Sequence, residues 1–391
     1  MHPDASPLPY KAIHFFVSGS PGRVRPGDPL WLTPLTGQSR NFSEQAADTG
    51  WTIGDYLLAA EAFLSSGPGR EALSSAMGQG RGRPGDWQVS LWLEKHGAYY
   101  HPIKVIVDYP DGQGRLGKAS FVLNGAVSRQ GADLMDEEIR LIAAAGKSMV
   151  PGQVPEVFGS GRIPGDKGPA AFFLGQWFEG FHEFHATGQG PDHDVVVWRP
   201  GRENLVIPMD RAVAAYENAA EILTRAYNRE NGHEIFPWHH AAGDFIVDPE
   251  AEGMPVRLIT VRGYQPLADI DRDTGGPFPG LLFFFLNLCL RMQLDRVDGV
   301  GEAVFLGRRV LNATIRGFFR GLSHTLSGNA CQDFLAFAGR FDDAQFSGIL
   351  IHLLEAWPPG ASEADLIGTR LPGLCAEIRS LFKSGELQDF Y

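Results

Sequence analysis

The sequence predicts an α+β protein of two lobes, an antiparallel sheet with a companion helix ahead of a mainly helical region. Three observations carry this expectation. Short runs rich in aromatic and β-branched residues follow one another between Trp87 and Val127. Apolar residues at helical spacing dominate the second half of the chain, as in Val213, Tyr216, Ile222 and Leu223. A length of 391 residues leaves room for more than one buried core.

Taken in order, Ile13 to Val17 reads as a strand, and a helix follows with Thr52 as its cap. Asp55 lies three residues on, ahead of Tyr56, Leu57, Leu58 and Phe63, which is the spacing of a capping box. The Gly-rich stretch from Gly78 to Gly85 reads as a linker, so residues 1–85 are set apart as an accessory segment.

Trp87 to Glu94, Tyr100 to Tyr109 and Lys118 to Val127 then form an expected meander. Gly112, Gly114 and Gly117 match G-x-G-x-x-G, but a strand follows where a phosphate-cradling helix would have to begin; a hairpin turn is expected instead. Ala132 to Ala145 is the expected helix, carrying Asp136, Glu137 and Glu138. A loop at Val154 to Phe158 and a turn at Gly161 to Gly168 lead to another strand of the same sheet, Ala171 to Trp177. The first lobe is therefore placed at 86–180 and the second at 181–391. In the second lobe a helix from Met209 to Tyr227 precedes a β-hairpin, Phe245–Val247 with Val256–Val261, and then further helices.

Charge and composition exclude several functions. With 34 basic against 46 acidic residues the net charge is -12, which argues against a nucleic acid or an anionic membrane held by a broad basic surface. The most apolar run, Leu281 to Leu290, is cut off by Arg291, well short of the roughly 20 residues a membrane span needs, and should be a buried helix. The start Met1, His2, Pro3, Asp4 is not a basic segment ahead of an apolar one, so a cytoplasmic protein is expected. Cys289, Cys331 and Cys375 have no zinc-ligand spacing and read as buried thiols.

Two constellations suggest metal. His182, His185, His239 and His240, with Asp244, can form a site if the fold gathers them, although neighbours such as Phe181, Phe184, Phe236 and Trp238 favour packing histidines. Asp269, Asp271 and Asp273 have the look of a calcium loop, but Gly275 is one place late and Gly280 stands where a Glu is needed. No G-x-S-x-G is present for serine-centred catalysis.

Two segments carry a resemblance. Phe172-Phe-Leu-Gly-Gln-Trp-Phe-Glu-Gly180, and Trp238-His-His-Ala-Ala-Gly-Asp-Phe-Ile-Val247 followed by Leu258-Ile-Thr-Val261, stand in an element order that resembles the aminoglycoside phosphotransferase and choline kinase branch of the kinase-like superfamily, from about Trp87 onward. The resemblance implies a two-lobed kinase-like fold with a ligand cleft between lobes. It places adenine at the strand end and hinge of Gln176, Trp177 and Phe178, a catalytic loop at His239 and Asp244, and a second metal position at Thr260. The phosphate-binding lysine of the family falls on Asn124, with Glu138 or Glu137 as its helix partner.

Phosphoryl transfer needs a base, metal-holding carboxylates and positive charge on the phosphates. Asp244 can hold Mg²⁺ and His239 can accept a proton, but Thr260 offers a neutral hydroxyl, Asn124 no charge, and Arg262 repels a cation. The expectation is thus a pseudokinase or binding module for a small molecule or nucleotide. An active kinase using ATP and Mg²⁺ through His239 and Asp244 stands as an alternative, and a histidine-rich metal protein as another.

Overall fold

Six strands form the main sheet: β1 (Ala12–Val17), β2 (Gln88–Leu93), β3 (Ile103–Pro110), β4 (Leu116–Ala126), β5 (Val157–Ile163) and β6 (Ala170–Gln176), in the order β1-β2-β3-β4-β6-β5. They are seen in a computed structural model that describes residues 9–35, 50–94, 100–189, 193–239, 243–267, 277–325, 329–355 and 362–384. The chain divides into two compact units, residues 1–143 with 155–179, and residues 144–154 with 180–391.

In the first unit β2, β3 and β4 pair antiparallel as a meander, with Gly112 and Gly114 in the tip of the β3–β4 hairpin and Gly117 in β4 opposite Tyr109. β6 joins β4, and β5 follows it. Strand alternation gives the sheet two unlike faces. One carries Ile103, Val105, Leu123, Phe172 and Leu174, all buried in a core with Tyr56, Leu57 and Phe63 of α1 (Ile53–Ser65) and Leu73 of α2 (Gly67–Met77). The other is covered at one end by α3 (Arg129–Ala145), whose Ala132 and Met135 pack with Ala126, Ala171 and Phe173.

The described part of residues 1–85 is not set apart from this unit. β1 pairs parallel with β2 along its whole length, and α1 and α2 supply more than a third of the buried core. Thr52 and Asp55 make the expected capping box at the start of α1. Gly159 on β5 admits α2, because a Cβ there would meet the Ala72 methyl at 2.8 Å.

The second unit begins with a three-stranded sheet, β7 (Phe184–Thr187), β8 (Asp194–Val197) and β9 (Leu205–Ile207). Short antiparallel pairs follow: β10 (His233–Ile235) with β13 (Tyr264–Pro266), β11 (Phe245–Val247) with β12 (Val256–Leu258), and β14 (Leu294–Arg296) with β15 (Ala303–Phe305). The helices are α4 (Met209–Ala226), α5 (Phe278–Met292), α6 (Gly307–Thr325), α7 (Ala330–Ala338), α8 (Asp343–Glu355) and α9 (Ser362–Ser384). α5 is buried nearly throughout, and its Phe284 and Phe285 pack against Phe318 of α6. α4 and α6 approach closely because Gly317 and Gly321 face Glu217, Ala220 and Thr224. Among the described residues no helix is long and apolar enough to cross a membrane.

Candidate functional site

The hairpin of β11 and β12 sets the polar centre of the second unit. Asp244 immediately precedes β11, and its carbonyl oxygen accepts a hydrogen bond from the Ile259 N–H, 2.8 Å away, just beyond β12. This bond fixes the segment Ile259 to Arg262 beside Asp244. The Asp244 side chain is 1% exposed. Its Oδ2 accepts the main-chain N–H of His239 at 2.8 Å and meets Arg262 Nη1 at 2.5 Å. Its Oδ1 is equally buried and accepts no hydrogen bond from the described residues.

Of the sequence-predicted residues in this unit, His239, Asp244 and Thr260 therefore lie along one loop and hairpin. His239 reaches Asp244 through its backbone, and Thr260 is half-buried two residues ahead of Arg262. From sequence Arg262 is only a charge that repels cations; the structure gives that charge a specific partner.

A second buried cluster lies behind this loop. Gly243 takes φ +72°, and a Cβ there would come within 2.7 Å of Glu183 Oε1. Glu183 Oε2 is 3.9 Å from His185 Nε2, and His185 Nδ1 is 3.6 Å from Asp295 Oδ1. Asp295 is itself anchored by the N–H groups of Ala186 and Arg296, both 2.7 Å away. Burial alone would depress the His185 pKa, but the carboxylates of Asp295 and Glu183 prevail and hold it up at about 9. From sequence His185 stands out only as a candidate metal ligand; nothing there points to its pairing with Asp295, which lies far along the chain from β7.

Arg291 of α5 braces the loop from below. Its guanidinium is 4.4 Å from the centre of the Phe236 ring, donates from Nε to Asn287 at 3.1 Å, and approaches the Trp238 carbonyl at 3.4 Å. Glu234 is buried nearby, and burial pushes its carboxyl up to about 8 against the opposing pull of Asn287 and Arg291.

The metal-binding histidine alternative meets a geometric obstacle. His182 is bridged to Val247 and has Arg199, Arg202, Asp248 and Glu250 as its charged neighbours, whereas His185 is enclosed by Glu183 and Asp295. The two rings thus sit among different charged groups. Among the described residues no group of three His, Cys, Asp or Glu side chains is arranged around a metal position. His240 and the acidic run Asp269, Asp271, Asp273 with Gly275 lie outside the described residues.

The remaining predicted residues belong to the first unit. Asn124 is half-buried in β4, on the face that carries α3. On α3 it is Glu138 that is buried, at 6% exposure, while Glu137 pairs with Arg140 on the outside. Gln176 ends β6 and accepts the Glu156 N–H at 3.4 Å; Trp177 and Phe178 follow it.

The sequence supplied no lysine at Asn124, yet the sheet has one nearby. Register places Lys104 of β3 opposite Val122 of β4, on the same face as Asn124 two residues further along. Lys104 Nζ lies 4.6 Å from the centre of the Trp177 ring and 3.0 Å from Glu179 Oε1. Burial works to raise the Glu179 pKa, but Ser120 and Lys104 together hold its carboxyl below the usual range.

No protein-family model matches this sequence, and no curated protein matches it. Among solved structures, a chain in the complex of Neurospora crassa PAN2 (WD40-CS1) with PAN3 (pseudokinase and C-term) is similar over 82% of this chain and 72% of that one, with 13% identity and a TM-score of 0.25. A likeness that low defines neither fold nor function, and nothing in these comparisons supports the aminoglycoside phosphotransferase and choline kinase branch. The architecture stands as mixed α+β.

Proposed function

We propose that this chain is a kinase-like protein of degenerate type, which binds a small molecule or nucleotide and does not carry out efficient phosphoryl transfer. The observation behind this reading is the buried pairing of Asp244 with Arg262. A transferring kinase needs its loop carboxylate to hold Mg²⁺ against the phosphates. Here the carboxylate is already neutralised by a guanidinium, and Thr260 brings no second charge. ATP and Mg²⁺ as a joint cofactor fit these residues poorly, so no catalytic step is assigned to them.

Lys104 supports the binding half of the reading. It is a cation on the same sheet face as Asn124, backed by the Trp177 ring, and is suited to an anionic group on a ligand that also offers a flat surface. Thermal-shift titration tests the whole reading, since a ligand that binds only the folded state raises the melting temperature. ATP in the presence of EDTA should stabilise the chain, Mg²⁺ should add nothing, and no ADP should form. ADP release that disappears in Asp244→Ala would overturn it in favour of an active kinase.

A further inference from the structure

Charge balance around Asp244 leads one step further. Two carboxylates and a divalent ion sum to zero; so do one carboxylate, a threonine hydroxyl and a guanidinium. A carboxylate that is 1% exposed requires a counter-charge, and among the described residues the one in contact with it is Arg262, at 2.5 Å from Oδ2. The same oxygen accepts the His239 N–H, while Oδ1, equally buried, accepts none from the described residues. Arg262 is well placed for this part. Its side chain is 33% exposed and reaches in from the segment beyond β12 that the Asp244–Ile259 bond holds in place.

We propose that Arg262 is a built-in replacement for a metal ion: its guanidinium is the permanent counter-cation of Asp244, and it both holds the Asp244 carboxylate against the His239 N–H and keeps divalent cations out. This deepens the functional reading given above and rests on it. The ligand class it implies for the altered site is a hard divalent cation, Mg²⁺ or Mn²⁺, which enters only when the guanidinium is removed or outnumbered by carboxylates.

The test uses the full chain and Mn²⁺ alone, followed by water-proton relaxation and by thermal melting. The wild type should show no Mn²⁺ response. Arg262→Gln should melt lower, regain stability as Mn²⁺ is added, and bind one Mn²⁺ with a Kd on the order of 1 mM, typical of a sparse oxygen site. Arg262→Gln combined with Asp244→Asn should melt higher than Arg262→Gln and ignore Mn²⁺. Arg262→Lys keeps the charge and should also ignore it.

If Arg262→Gln does not fold, recovery of folding on adding Asp244→Asn supports the proposal, and failure to recover overturns it. Thr260→Asp, with Arg262 retained, supplies an independent arm: a second carboxylate exceeds the single charge of Arg262 and should create Mn²⁺ binding. The proposal is overturned if the wild type binds Mn²⁺ through Asp244, or if a folded Arg262→Gln chain gains no Mn²⁺ response. ATP binding measured on the same samples separates the two claims. Loss of the Mn²⁺ result with ATP binding intact sinks only the replacement idea, whereas ADP formation by the wild type sinks the functional reading.

Discussion

His185 and Asp295 form a buried pair, Nδ1 to Oδ1 3.6 Å, with Glu183 on the other side of the ring and Trp198 against its face at 4.5 Å between ring centres. Two carboxylates around one imidazole explain why its pKa is held at about 9 in spite of burial. An imidazolium enclosed in this way joins β7 to β14 and secures Glu183 behind Gly243.

Folding stability should therefore depend on the protonation of His185. Its folded pKa, about 9, lies above the unfolded value near 6.5, so the contribution is complete below pH ~6.5 and is lost as pH rises through about 9. At about 1.4 kcal/mol per pKa unit the loss amounts to a few kcal/mol. Urea unfolding at pH 6, 8 and 10 should show the decline, and His185→Gln should flatten it. A variant whose pH profile runs parallel to that of the wild type would remove His185 from the explanation.

Glu234 predicts a second slope of the same sign in a lower window. With its pKa raised from the ordinary carboxyl range to about 8, it is neutral in the folded chain and charged in the unfolded one between those values. Stability attributable to Glu234 is complete below pH ~4.3 and falls as pH rises through about 8. Glu234→Gln mimics the neutral acid, so it should match the wild type near pH 4 and exceed it at pH 8. Chemical denaturation at the two pH values measures the difference; equal stability at pH 8 would show that Arg291 accommodates the charge.

Much of the architecture could be read from residue order, and the reasons are local. Thr52 and Asp55 announce a helix start by their spacing, and a strand after Gly117 turns a phosphate-loop pattern into a hairpin. Other pieces were hidden because their signals conflict with their context. α2 opens on Gly67, Pro68 and Gly69, which look like a linker until Leu73 and Met77 find a core. β5 carries Gly159 and Gly161, which look like turn residues but are small because α1 and α2 lie against them.

The candidate site was harder to read. A carboxylate at Asp244 and an opposing charge at Arg262 were both visible, but that one neutralises the other depends on the β11–β12 register. Lys104 was missed for a similar reason. The β3–β4 pairing, and not any feature of β4 itself, places Lys104 on the same face as Asn124.

Helix packing in the second unit gives a prediction with its own control. A Cβ on Gly317 would lie 2.1 Å from the Glu217 carbonyl oxygen, so Gly317→Ala must push α4 and α6 apart at a cost of ~1–3 kcal/mol. Gly368, on the exposed face of α9, has nothing within 4 Å of its Cβ position, and Gly368→Ala should stabilise by ~0.5–1 kcal/mol through helix propensity. Denaturant midpoints should move in opposite directions, and a neutral Gly317→Ala would mean that the two helices are not held at this separation.

Lys104 separates ligand binding from stability most cleanly. Its ion pair with Glu179 is partly solvated, the two side chains being 19% and 63% exposed, and pairs of that kind contribute about 0–1 kcal/mol. Contact with Trp177 adds ~0.5–1 kcal/mol. Lys104→Ala should thus unfold within about 1–2 kcal/mol of the wild type. If its ammonium meets an anionic group of the ligand, loss of one charge-assisted hydrogen bond worth ~1.5–3 kcal/mol weakens binding by about tenfold or more. Lys118 provides the comparison, for it is 65% exposed and among the described residues pairs with Asp108, 3.8 Å away on the same hairpin. ATP titration in EDTA should give a markedly higher Kd for Lys104→Ala and an unchanged one for Lys118→Ala, while Lys104→Arg keeps part of the affinity. Equal affinities for the wild type and Lys104→Ala would remove Lys104 from the binding surface and with it the cation on which the ligand reading of the first unit depends.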